Sequence, residues 1–278
     1  MNPNLVGNDL PPGFEVDPAV LFTWQYVSTA IGILLFLWTL YFAFAKRDSL
    51  PLLMFIGGLL LSLNDPLYNS LFHIRYAENF PDAFVGFGIA TPAFMPLAYA
   101  GFSIVGYFVY RSFRAGVSIR KVMSFWALIF VVDIIFEGIA SSLGAFTFDG
   151  NQPFEILGWG FYLAWLNAIG FMSIGALLLF MVPRLPGWQK LFLIAVPILC
   201  HLGGVFASGW PLMIALNWDV SAPVAWLLGV VSLALSLVFA WSIVALANPS
   251  SDAEHQHLPD LKNLKIPSGG DIQAVRGG

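Results

Sequence analysis

Asp65, Asp133 and Glu137 each fall inside an apolar run long enough to cross a bilayer. A charge at the bilayer centre costs about 2.5–3.5 kcal/mol on insertion scales, so an acid in such a position is a functional candidate by default. No Lys or Arg lies at a comparable depth to neutralise the three, and at least one of them is therefore expected to keep its proton. Asp133 and Glu137 are four residues apart, which stacks them on one face of a helix, with Ser141 continuing the stripe. Asp65, Asn69 and His73 repeat the same step on another segment, with Tyr68 beside them. At a rise of about 1.5 Å per residue, Asp133 falls near mid-membrane and Glu137 and Asp65 nearer the outer half. Asn167 and His201 fall at similar depths on two further segments. A neutral carboxylic acid in an apolar chamber is a strong proton donor, and an ionised carboxylate beside it accepts a proton. Such a pair is the usual arrangement for general acid–base work. Aromatic residues make up 16% of the chain, enough to wall a pocket and to stabilise developing positive charge through ring faces.

Each of these residues also has a structural reading. Intramembrane Asn, Ser and Tyr serve as hydrogen-bonding glue between helices, and for Asn69, Asn167 and Ser141 both roles stay open. His201 alone reads first as a packing residue, and His73 lies near the interface, where a histidine costs little. Two acids on one buried stripe are poor glue, so the functional reading leads for Asp133 and Glu137, and for Asp65 close behind. Most of the Phe and Trp side chains are expected to face lipid. A membrane zinc hydrolase of the three-histidine kind needs more intramembrane histidines than His73 and His201 supply, so no metal site is expected. A retinal Schiff base needs a lysine inside a helix, and there is none.

The elements that must position these groups follow from hydropathy. Of 278 residues, 58% are hydrophobic and 10% charged, with a mean hydropathy of +0.79; a soluble domain carries about 25% charged residues. Runs of about 20 apolar residues span the hydrocarbon core, and seven qualify: 19–45, 50–73, 84–110, 122–146, 157–182, 188–210 and 223–247. The expected fold is therefore an all-α integral membrane protein, a seven-transmembrane-helix bundle. Lys46, Arg47, Arg111, Arg114, Arg120, Lys121, Arg184, Lys190, Lys262, Lys265 and Arg276 fall on one side and only Arg75 on the other. Basic loops face the cytoplasm, so the N-terminus is expected outside and the C-terminus in the cytoplasm. Residues 1–18 read as an extracytoplasmic segment with no basic n-region of a signal peptide, 19–247 as one helical domain, and 248–278 as a disordered cytoplasmic tail rich in polar residues, Pro and Gly. The single cysteine, Cys200, permits no internal disulfide. The chain is expected in a cell membrane, with the bilayer and a lipophilic small molecule as partners and no nucleic acid.

The run Asn64-Asp65-Pro66-Leu67-Tyr68-Asn69, with Tyr76 and Asn79 after it, resembles the D-P-x-x-N segment of the AveC-like spirocyclases, the family typified by the avermectin spiroketal cyclase. Asp133-Ile134-Ile135-Phe136-Glu137, followed by Gly144-Ala145-Phe146-Thr147-Phe148, is similar to that family's D-x-x-x-E helix and its following turn, with Phe146 and Phe148 in place of tyrosines. The similarity covers residues 50–180. It implies acid-catalysed cyclisation of a dihydroxy-ketone polyketide to a spiroketal in a bacterial plasma membrane. On that basis Glu137 is expected to be the general acid, Asp133 to tune it, and Asp65 to act as base or cation stabiliser. Tyr68, Asn69 and Asn167, with His201 and His73, are expected around the substrate. No redox cofactor and no metal is called for. A meroterpenoid cyclase also fits a few buried acids, and a proton-coupled carrier would use them as a relay. The carrier ranks lower, because no self-similar halves are found in the sequence.

Overall fold

The computed structural model describes residues 13–116, 118–150, 152–156 and 159–247. Residues 1–12 of the expected outer segment and the whole tail from 248 lie outside the described residues. Asp17 starts the first helix by accepting the Ala19 amide at 2.8 Å, and α1 (Pro18–Ala45) follows with proline at its first position, where no amide is needed. Next, α2 (Leu50–Leu61) and α3 (Asp65–Phe72) form one broken rod joined by a 3-10 turn, Ser62–Asn64. Pro66 causes the break, since it lacks an amide and its ring crowds the carbonyl four residues back, at Ser62. The rod stops at His73, which adopts a left-handed conformation at φ 55°.

The remaining helices are α4 (Met95–Arg114), α5 (Ile119–Ser142), α6 (Tyr162–Met181), α7 (Ala195–Asn217) and α8 (Ala222–Ala247), with a 3-10 stretch, Gly187–Ile194, leading into α7. Among the described residues six spans are long and apolar enough to cross a membrane: α1, the α2–α3 rod, α5, α6, the Gly187–Asn217 segment and α8. The chain is thus built as a multi-pass membrane protein. Helix α4 is as long as α6 but less apolar, because Arg111 and Arg114 occupy its last turn.

Helices α4 and α6 form the interior. α4 packs on α2 and α6, and α6 also packs on α5, α7 and α8. Lipid tails give helices no hydrophobic reason to associate, so close packing at small residues must do it. A Cβ on Gly58 would lie 2.5 Å from the Ala100 Cα, one on Gly106 2.4 Å from the Ile174 Cγ2, and one on Gly175 2.4 Å from the Val109 Cγ1. The flanks differ. In α1 only Gly32 and Thr39 are buried, and Leu34, Phe44, Val132 and Ile135 on α1 and α5 are exposed, as lipid-facing residues are.

The loops gather at two ends. At one, β1 (Ile74–Tyr76) pairs antiparallel with β4 (Phe146–Phe148), setting Arg75 opposite Thr147. There, β2 (Asp82–Gly86) and β3 (Ile89–Pro92) form a hairpin, and β5 (Glu155–Ile156) pairs with β6 (Trp159–Gly160). Arg75 is ion-paired with Asp149, and this hydrogen bond raises its pKa further above the usual guanidinium range. Asn79 fastens Val16 with two bonds, at 2.8 and 3.1 Å. At the other end, Arg47, Arg111, Arg114 and Lys190 surround a depression of about 200 Å³ in which Asp48 is the one carboxylate.

The strands correct the expected spans. The segment expected to cross from residue 84 is instead the hairpin, and the helix starts at Met95. Phe87 and Gly88 both have positive φ, 52° and 77°, the two-residue turn whose twist matches paired strands. The expected 157–182 helix begins at Tyr162, the 122–146 helix ends at Ser142 before β4, and α7 runs to Asn217 rather than 210. Window hydropathy cannot separate a strand rich in Val, Ile and Phe from the helix beside it.

Candidate functional site

Asp65 opens α3, and its carboxylate is buried at the centre of a set of donors. Asn69, one turn on, donates to Oδ2 at 3.0 Å, as does Thr91 of β3 at 3.0 Å. Tyr76 of β1 and Tyr99 of α4 each donate a hydroxyl to Oδ1 at 3.0 Å. An ionised carboxylate offers about four lone-pair sites, and four neutral donors fill them. Burial, and then the Asp65 charge, push the Tyr76 hydroxyl well above the usual phenol range, so it stays a donor.

Glu137 faces the same cavity from α5. Among the described residues no donor bonds its carboxyl. The cavity measures about 60 Å³ and has aromatic walls that include Trp24, Phe94, Phe102, Phe136 and Phe146. A buried water needs about 10–15 Å³ on the same measure, so there is room for only a few. Its polar lining consists of Asp65, Tyr68, Asn69, Tyr76, Tyr99, Glu137, Asn167 and His201.

Asp133, also buried, does not line the cavity. Its Oδ2 accepts from the Asn167 amide at 2.9 Å, and its Oδ1 is buried without a partner. With Asn167 so turned, its carbonyl accepts from the His201 Nε2–H at 3.2 Å, which leaves Nδ1 to accept from the Tyr68 hydroxyl at 3.0 Å. Tyr68, His201, Asn167 and Asp133 thus form one directed file across α3, α7, α6 and α5. Gly170 makes room for the imidazole, since a Cβ there would lie 2.7 Å from the His201 Cδ2.

The structure therefore brings together Asp65, Glu137, Tyr68, Asn69, Asn167 and His201, with Asp133 behind Asn167. His73 stands apart. It bonds Asn217 at 3.2 Å and accepts the Asp149 amide at 2.9 Å, stitching the loop end rather than lining the cavity. Thr91 and Tyr99 complete the Asp65 set and had no signal in the sequence, because the hairpin that delivers Thr91 is hidden in an apolar run. Among the described residues no group of three or more His, Cys, Asp or Glu side chains is placed to hold a metal ion. Chemically, the arrangement offers one carboxyl supported as an anion and one unsupported, facing each other across an aromatic chamber. Comparison of the chain with protein-family models, with curated proteins and with solved structures finds no match.

Proposed function

We propose that the chain is a seven-pass enzyme of a bacterial plasma membrane that cyclises a lipophilic polyketide or terpenoid by acid–base catalysis, without a cofactor. Helix α4 is the seventh crossing. With the cluster of Arg47, Arg111, Arg114 and Lys190 in the cytoplasm, the N-terminus lies outside and the acid cavity in the outer half. One observation carries the function: Asp65 and Glu137 face one cavity, the first with four donors and the second, among the described residues, with none. Two acids whose surroundings separate them in this way take the base and acid roles.

For a dihydroxy-ketone, one hydroxyl adds to the carbonyl to give a hemiketal. Glu137 gives its proton to the hemiketal hydroxyl, which leaves as water, and the aromatic walls stabilise the oxocarbenium ion. The second hydroxyl attacks that carbon, and Asp65 takes its proton. Transfer of the proton across the cavity resets both acids, and the net change is loss of one water. Asn167, His201 and Tyr68 stand around the substrate, held by Asp133 behind Asn167, and an alkene in a terpenoid would be protonated by the same acid.

Mass spectrometry of lipid extracts from cells lacking the gene tests this proposal. Accumulation of a precursor heavier than the product by one water, or an isomer of unchanged mass, supports cyclisation. A difference of any other group contradicts it. The file from Tyr68 to Asp133 favours a second reading, a proton-coupled carrier; substrate-driven acidification inside proteoliposomes would support that one.

A further inference from the structure

The 60 Å³ cavity is too small for a lipophilic substrate, and both ends of the bundle obstruct its approach. The β1–β4 ladder and the N-terminal segment tied to Asn79 cover one end, and glycine-tight packing of α2, α4 and α6 fills the other. The side is different. Helix α5 leans on α6 and α8 and, among the described residues, has no comparable backbone packing with α1 or α4. A second cavity of about 190 Å³ lies in that gap, lined by apolar groups apart from Ser28. It shares Ala98, Phe102 and Phe136 with the acid cavity. Phe136 meets Phe102 edge-on at 5.7 Å and Trp24 at 5.1 Å, so among the described residues these rings and Ala98 stand between the two cavities. An apolar cavity of about 150 Å³ admits a benzene-sized guest, so this groove takes a segment of hydrocarbon chain.

We propose that the groove between α1, α4 and α5 holds the hydrocarbon tail of a single-chain amphiphile, which reaches it from the bilayer and passes its oxygenated end between Phe102 and Phe136 to Glu137. The occupant follows from continuity: the groove runs from lipid-facing helices to the acid cavity, and its lining offers a guest almost nothing but dispersion contacts. The role given to the oxygenated end rests on the acid–base reading; the tail site does not.

The test is photocrosslinking of the full chain in liposomes with a 16-carbon fatty acid carrying a mid-chain diazirine, followed by peptide mapping. Adducts are expected to concentrate on the α1 and α4 faces around Ser28 and Ala98, above the level at Phe180 and Leu199, which are also exposed. Excess unlabelled fatty acid is expected to remove the groove adducts and leave those at the control positions. Ser28→Trp, which fills the groove from the loosely packed helix, is expected to lower them to the control level, and Glu137→Gln to leave them in place. Adducts spread evenly over the lipid-facing surface, or unaffected by competitor, overturn the tail site. Groove adducts together with normal turnover by Glu137→Gln would instead leave the tail site standing and remove the acid–base reading.

Discussion

On one side of the acid cavity, α3, β1, β3 and α4 deliver four hydrogen bonds to a single carboxylate, and the close contact of Gly58 on α2 with Ala100 and the Tyr99 backbone fixes the helix that carries Tyr99. On the other side, Glu137 stands on a helix whose neighbouring residues Val131, Val132, Ile135 and Ile139 are exposed as lipid-facing residues are, and among the described residues no donor bonds its carboxyl. Both acids serve one chamber, yet only Asp65 is built into the scaffold. A carboxylate with many donors has its charge supported by fixed partners. A carboxyl without donors, on a lightly packed helix, can give up and regain a proton with little rearrangement around it. Constraint and reactivity are thus divided between the two walls.

Removing the proton donor while keeping its shape gives the largest effect. Glu137→Gln is expected to lower turnover by about 10²–10⁴-fold, the usual worth of a general acid, while the thermal unfolding midpoint in detergent stays near wild type. A variant that unfolds early would erase the contrast between the walls. Gly58→Val strikes the scaffold instead. Its added carbons meet the Ala100 Cα and the Tyr99 carbonyl oxygen at 2.5 and 2.6 Å, and overpacking of this kind costs about 1–3 kcal/mol or more, read by chemical denaturation.

Asp65→Asn is expected to cost about 1–3 kcal/mol, because the amide keeps one carbonyl oxygen and the two donors on the other position then face an NH2 group and lose their acceptor. The loss should exceed that of Glu137→Gln in the same unfolding assay. Equal losses would mean that the two walls are not built differently. The smallest effect belongs to Gly203→Ala, where no atom lies within 4 Å of the new Cβ; a change within about 0.5 kcal/mol is expected.

Local spacing was the part of this design legible in the sequence. The apolar runs announce the helices. The step from Asp65 to Asn69 announces a contact that the structure shows at 3.0 Å, because residues four apart on a helix are always neighbours. The step from Asp133 to Glu137 was legible as one stripe, but not the division of labour within it. Four residues overshoot a full turn by about 40°, enough to aim Glu137 into the cavity and Asp133 at Asn167. The donors Thr91 and Tyr99 were hidden for a different reason: the hairpin merges with α4 in any hydropathy window, because only Ala93 and Phe94 lie between Pro92 and Met95. His73 fitted the pattern of the second segment, but the left-handed conformation that ends the helix there turns it toward Asn217.

Infrared difference spectroscopy of the protonated-carboxyl carbonyl stretch, on the purified protein at neutral pH, reports directly which wall holds the proton. A component of that band is expected in the wild type, to vanish in Glu137→Gln and to persist in Asp65→Asn. A band that persists in Glu137→Gln and vanishes in Asp65→Asn would contradict the division of roles between the two acids.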